Sequence, residues 1–224
     1  MDIHKPKPWH GWREFLKEYG IIVLGVLTAL AFEQGVESLH WRHEVETERD
    51  ALRSEVRYNL ATAAFRQSQK GCIDARLSQI GEVFRRHAHG EPLGLRNRVA
   101  RPPLWLATTG TWDIAVAGQA LGHMPQREKL AFSDAFQTYK IFADLRNIED
   151  ADWRRLALLD RPDLLDGNDW ARLRETWGDL LGMSNRMQSI TTDMLTSENM
   201  GQRPAKITGD EPALRATFCS PLVG

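Results

Sequence analysis

The side chains with chemistry to offer are two cysteines, seven histidines and a scatter of carboxylates. Cys72 and Cys219 are the whole thiol complement. No Cys-x-x-Cys occurs, which gives no support to dithiol redox catalysis or thiolate zinc sites. Two cysteines invite one bridge in an oxidising compartment, pinning the C-terminal tail to the start of the second helix. In a reducing compartment the same residues are two unrelated buried thiols. His87-Ala88-His89 offers two imidazoles, but i,i+2 spacing on a helix turns them apart, with no acidic or thiol ligand alongside. A solvated helix end accounts for that pair. His40 and His43 share a helical face beside Trp41, where packing or headgroup contact outweighs metal binding. Asp163-x-x-Asp166-Gly167-Asn168-Asp169 has the outline of a calcium loop, yet Leu164 and Leu165 sit where oxygen ligands must alternate. A turn with helix capping explains it. Arg96, Arg98 and Arg101 make one loop basic, suited to phosphate or anionic lipid, with solvation as the default.

The enzyme motifs are missing: no G-x-S-x-G, no phosphate loop, no G-x-G-x-x-G and no H-E-x-x-H. The carboxylates fall on helix faces, where i,i+4 ion pairing is their ordinary use. The expectation is a protein that is not an enzyme and needs neither cofactor nor metal. With 29 Lys+Arg against 30 Asp+Glu, the chain lacks the basic footprint of a nucleic-acid binder. Its 42% apolar and 26% charged residues are those of a globular protein, and eight Trp supply bulky core surface.

What remains is the chemistry of surfaces. Tyr19 to Phe32 carries no charge over fourteen residues, short of the ~20 that cross ~30 Å of hydrocarbon. Trp12, Phe15 and Leu16 lengthen the apolar face on one side; Gly35, Val36 and Leu39 do so on the other. Lys17 and Glu18 can reach toward headgroups. Trp9, Trp12, Tyr19 and Trp41 fall where interfacial aromatic belts lie. The preferred reading is a transmembrane helix over residues 15–36, preceded by a cytoplasmic tail at 1–14. A cleaved signal peptide is a second reading, since Ala29-Leu30-Ala31 has the A-x-A form. Its n-region would be unusually long and would carry Glu14 and Glu18. A buried core helix is the third. Lys5, Lys7, Arg13 and Lys17 before the span, against Arg42, Arg49 and Arg53 after it, tilt the balance toward a periplasmic C-terminal region.

The stretch W-x-x-F-x-x-E-x-x-I-I-V-L-G-V-L-T-A-L-A-F-E-Q-x-x-E-x-x-x-W-R, Trp12 through Arg42, resembles the start of a group of small, uncharacterised proteobacterial membrane proteins. Those proteins have one N-terminal span followed by a helical region. The likeness is close over this stretch and elsewhere extends only to helical layout. It implies single-pass topology in a bacterial inner membrane, and brings no activity, cofactor or catalytic residue.

Within the span, Gly25 and Ala29 stand four apart, with Thr28, Ala31 and Gly35 on an adjoining strip. Small-xxx-small spacing lets membrane helices approach closely, for dimerisation or docking; small residues are also common in any span. Glu33, just inside the exit boundary, can pair with a partner helix or reach water.

Beyond the span, residues 37–201 read as a helical domain and 202–224 as an irregular tail on its surface. Val45, Leu52, Val56, Leu60 and Ala63 form an apolar stripe of helical period on a helix leaving the membrane. Gly71 breaks it. A second helix over Cys72 to His87 carries Ile73, Leu77, Ile80 and Phe84. After a loop to Pro103, Thr109 or Thr111 caps a short helix. Pro125 opens a longer one with Phe132, Phe136, Tyr139, Phe142, Leu145, Ile148, Trp153 and Leu156, running to about Asp160 or kinking near Asp150. The last helix carries Trp170, Leu173, Trp177, Leu180, Met187 and Met194, with Ser184 its one polar inward residue, and ends near Gly201.

The fold expected is therefore all-α: an N-terminal transmembrane helix continuing into an antiparallel bundle of about four or five helices. The function expected is structural or interactive, as an accessory or assembly subunit of a larger membrane complex. Its partners would be membrane lipid and a protein or second copy, not nucleic acid. The contact residues would be Gly25, Ala29 and Glu33 in the span and Val45, Leu52 and Val56 beyond it. The alternative is a sensory or ligand-binding domain with a pocket lined by Trp105, Trp112, Phe136 and Tyr139.

Overall fold

One helix, α1 (Trp12–Ser68), runs unbroken for 57 residues from the apolar segment into the body of the protein. The computed structural model describes residues 11–206 and 211–224. Trp9, Lys5 and Lys7, and the charge count that rests on them, lie outside the described residues. The chain divides into two compact units that part between Thr47 and Glu48.

The first unit is the α1 segment up to Thr47. Much of its apolar surface is open: Ile21, Ile22, Leu24, Val36 and Leu39 are each about two-thirds exposed (64–68%). Thr28 returns its hydroxyl to the Leu24 carbonyl at 2.7 Å, so this hydroxyl is satisfied within the helix.

The second unit, from Glu48 onward, is all-helical. After α1 come α2 (Lys70–Ala88), α3 (Gly110–Ala117), α4 (Ala120–His123), α5 (Gln126–Leu156), α6 (Gly167–Thr196) and α7 (Glu211–Cys219), with two short 3-10 turns between α5 and α6. The break after α1 falls at Gln69 rather than Gly71. Gln69 keeps a helical backbone angle, and the Ile73 amide still donates to its carbonyl. The chain therefore bends there without reversing.

Pairings across helices fix their directions. Arg49 meets Glu128 and Arg66 meets Glu149, so α1 and α5 run the same way. Tyr139 donates its hydroxyl to the Glu198 carbonyl, while Trp177 donates Nε1 to the Leu77 carbonyl and Ser184 donates to Asp74. His87 stacks on Trp170. In the pairs with α2 residue numbers rise on one helix as they fall on the other, and Asp152 of α5 lies near Asp179 of α6 where Tyr139 meets Glu198, which makes α6 antiparallel to both α5 and α2.

The expected stripes build the core. Ile73, Leu77, Ile80 and Phe84 of α2 meet Trp153 and Leu156 of α5 and Trp170, Leu173 and Leu180 of α6. Nearer the start of the unit, Leu52, Val56, Leu60, Phe132, Phe136, Tyr139 and Phe142 are buried. Ile148 departs from its assigned stripe and is 51% exposed. It sits three residues from Leu145 and five from Trp153, out of phase with a 3.6-residue turn once both of those face inward. Gly81 is needed for close approach: a Cβ there would lie 2.7 Å from the Trp177 ring.

The C-terminal segment corrects the expectation of an irregular tail. It contains α7, and Phe218 and Leu222 are buried at 1% and 0% exposure. Three proline interruptions masked a nine-residue helix whose end carries its anchoring aromatic.

Candidate functional site

The site for which the sequence argues is the uncovered part of α1. Gly25, Ala29 and Glu33 are all exposed there. Leu27, Thr28, Ala31, Phe32, Gly35, Val36 and Leu39 line a shallow apolar depression along one side. Gly25 lies about one turn before Thr28, on the adjoining strip. Aromatic rings gather at either end: Trp12, Phe15 and Tyr19 follow one another at 5.9 and 6.0 Å, and Trp41 lies beside His40 at 5.1 Å. From Trp12 to Trp41 an α-helix rises ~43 Å, the thickness of a bilayer with its headgroup regions. The helix is long and apolar enough to cross a membrane, with a mean hydropathy of 1.8 over its best 18-residue window and none of that window buried.

The other interaction residues are placed differently. Val45 is buried at 6% exposure, and Leu52 and Val56 at 0%. Leu52 and Val56 are spent on the interior of their own unit, so they offer nothing to a partner. A helical apolar stripe is the same signal whether it meets the protein's own core or another chain. Only the fold distinguishes them.

The second unit is braced at three places. Cys72 and Cys219 form a disulfide across 147 residues, joining the start of α2 to the end of α7. Beside it, Arg76 donates to the carbonyls of Arg98, Phe218 and Ser220 at 2.7–2.8 Å. Burial pushes the Arg76 guanidinium below its usual range, with nearby Asp160 opposing the shift. Leu222 donates its amide to Gln79 at 2.7 Å and accepts from the Arg96 amide at 2.8 Å. The C-terminal segment is thus held covalently, by a charged donor and by backbone.

Mid-core, Arg66 of α1 and Arg146 of α5 both donate to Glu149, and all three side chains are 1–3% exposed. Arg146 also donates to the Pro103 carbonyl. Desolvation lowers the Arg146 pKa, with Glu149 pulling the other way and Arg66 adding to the depression. Next to it, Asp150 pairs with Arg101 at 2.6 Å and Arg154 at 3.4 Å. All three arginines of the basic loop therefore have structural contacts: Arg101 in this pair, Arg96 through its amide and Arg98 through its carbonyl. Sequence reasoning missed the buried trio. The carboxylates read only as members of helix-face ion pairs, and nothing in the sequence places Arg66 beside Arg146 and Glu149.

A third brace is a borrowed cap. Glu55 of α1 accepts from the Thr111 and Trp112 amides and from the Thr108 hydroxyl. Thr109 occupies the N-cap position of α3 but its side chain makes no cap bond, bonding Asp113 instead.

The remaining candidates resolve into packing. Trp112 stacks on Phe136 at 5.4 Å, Phe136 meets Tyr139 at 5.5 Å, and Trp105 meets Phe65 at 5.3 Å, so these rings fill one another's space. Asp166 and Asp169 close a capping box at the start of α6. His87 lies face to face with Trp170 at 3.7 Å. Among the described residues no group of three or more His, Cys, Asp or Glu is placed to hold a metal ion. No protein-family model, no curated protein and no solved structure matches this chain.

Proposed function

We propose that this chain is a single-pass bacterial membrane protein, anchored by residues 15–36 of α1, whose helical domain lies on the oxidising, periplasmic side. Its role is structural or interactive, as an accessory or assembly subunit of a membrane complex, with Gly25, Ala29 and Glu33 as the contact face within the bilayer. The carrying observation is the bare apolar surface of α1. Each such side chain costs about 1.5–3 kcal/mol to leave in water, and nothing in its own unit covers it. Lipid covers it without further cost. The Cys72–Cys219 bridge supports the compartment, since disulfides persist on the oxidising side. The resemblance of Trp12–Arg42 to proteobacterial single-span proteins supports the topology.

The test is an alkaline carbonate wash of membranes containing the full chain, followed by affinity purification of the retained protein from a gentle detergent. Retention in the pellet with a stoichiometric partner or second copy is the expected result. Release into the supernatant overturns the anchor, and a solitary monomer overturns the interaction role.

A further inference from the structure

The basic loop between α2 and α3 spends its arginines unequally. Arg101 pairs with Asp150, and Arg96 lies against Gly224. Arg98 is exposed, and among the described residues its guanidinium has no hydrogen-bond or ion-pair partner. The chain beneath it is nonetheless held at three consecutive residues. Asn97 donates Nδ2 to the Pro221 carbonyl at 2.6 Å, the Arg98 carbonyl accepts from Arg76 at 2.8 Å, and the Val99 amide donates to Asp160 at 2.6 Å.

A second free cation comes from the turn between α5 and α6. Arg161 follows the 3-10 turn Ala157–Asp160; its amide donates to the Leu158 carbonyl and its carbonyl accepts from the Leu164 amide, both at 3.0 Å. Its side chain is also exposed and without a partner among the described residues. The Val99–Asp160 bond joins the two segments across 61 residues. Arg98 precedes Val99 and Arg161 follows Asp160, so this one bond sets the two arginines close together. A cleft of about 380 Å³ is lined there by Leu95, Asn97, Arg98, Ala157, Asp160 and Arg161. Asp160 is the one acidic group of that lining, and its charge faces the buried Arg76.

We propose that the cleft between Arg98 and Arg161 binds a doubly charged phosphoryl group, as inorganic phosphate or as the end of a small phosphomonoester. Two cations rooted at one cleft repel each other, and an anion seated between them relieves that repulsion. Guanidinium forks match phosphate oxygens two at a time. A phosphomonoester, with a second pKa of about 6, carries nearly two charges at neutral pH, one for each arginine. Leu95 and Ala157 supply an apolar side for the organic part of an ester. Because the backbone is already held, binding orders little beyond two side chains. A phosphodiester, the chemistry of a lipid headgroup, brings one charge and fits the pair less well. The site lies wholly within the second unit and does not depend on the anchor.

The test is isothermal titration calorimetry of the full chain in nonionic detergent, at slightly alkaline pH and constant ionic strength. The probes are inorganic phosphate, glycerol phosphate and dimethyl phosphate, the last a diester. Arg98→Gln and Arg161→Gln remove the two cations; Arg172→Gln, at an exposed arginine of α6 outside the cleft, is the reference. The expected result is saturable one-site binding of inorganic phosphate and glycerol phosphate. Binding should weaken about tenfold in each cleft variant, the loss of one charged hydrogen bond, and stay unchanged in Arg172→Gln. Dimethyl phosphate should bind about tenfold more weakly than glycerol phosphate, on the same scale. Both cleft arginines are exposed, so the variants should fold, which matching melting temperatures verify. In wild type alone, phosphate should raise the melting temperature at constant ionic strength. No binding by wild type, an equal loss in all three variants, or a diester bound as tightly as the monoester each overturns the site and leaves the anchor standing.

Discussion

Arg66 and Glu149 form a bidentate pair 83 residues apart in sequence, at 2.7 and 3.3 Å, with side chains 3% and 1% exposed. The pair ties α1 to α5 in the interior of the second unit. It also holds a second cation, because Arg146 shares the same carboxylate. A buried carboxylate that accepts from two guanidinium groups cannot be lost without stripping both of their ionic partner.

Glu149→Gln should therefore be strongly destabilising, by about 3–5 kcal/mol, the scale of breaking a buried pair. Denaturant unfolding of the detergent-solubilised protein measures it. A loss within the range of an exposed pair, under about 1 kcal/mol, would show that water reaches the trio.

Replacing both Cys72 and Cys219 by Ala should lower unfolding stability by up to about 5 kcal/mol, the chain-entropy value for a loop of this length. The Arg76 contacts and buried Phe218 persist, so the domain should still fold. Equilibrium unfolding with and without reductant separates the bridge from the substitutions: reductant should move wild type toward the variant and leave the variant unchanged.

Glu55→Ala should remove the acceptor for two amides at the start of α3 while leaving its buried contacts in place. The expected cost is about 0.5–2 kcal/mol, as for loss of an N-cap. Hydrogen exchange at Thr111 and Trp112 should speed up more than exchange in α5, which distinguishes local fraying from global loosening.

The Glu82 carboxylate is held down to about 2 by hydrogen bonds from Arg85 and then Arg86. Its unfolded value is the ordinary 4.5. A depressed acid stabilises the fold fully above its unfolded pKa and loses that contribution as pH falls through its folded pKa. Wild type should thus exceed Glu82→Gln in melting temperature above pH 4.5, with the gap closing toward pH 2. The pair is solvent-facing, so the gap should be small and should shrink further in salt. A gap that widens on acidification would contradict the assignment.

Much of this architecture was legible because helical periodicity is local. Val45, Leu52, Val56, Leu60 and Ala63 announce one helix. So do Trp170, Leu173, Leu180, Met187 and Met194, all of which are buried in the structure. The long helix through the apolar segment was read correctly, as was the pairing of Cys72 with Cys219. The misreadings share one cause. Leu52 and Val56 looked available to a partner, and for Trp112, Phe136 and Tyr139 a pocket stood as the alternative to plain core, because a sequence gives the apolar face but not what meets it. The 202–224 segment looked irregular because prolines dominate its local signal, whereas Phe218 and Leu222 are ordered by α2 and by Arg76 far upstream.

Sequence by itself determined the helical class, the uncharged stretch bounded by aromatics and the spacing that makes each helix two-faced, since these follow from side-chain type at fixed intervals along one segment. Tertiary structure alone decided which faces are consumed inside the second unit, which carboxylate two buried arginines share and where α3 finds its cap. Those depend on contacts between residues 49 to 144 positions apart, formed only when separate helices meet. Local patterning carries no record of which helix a face will meet.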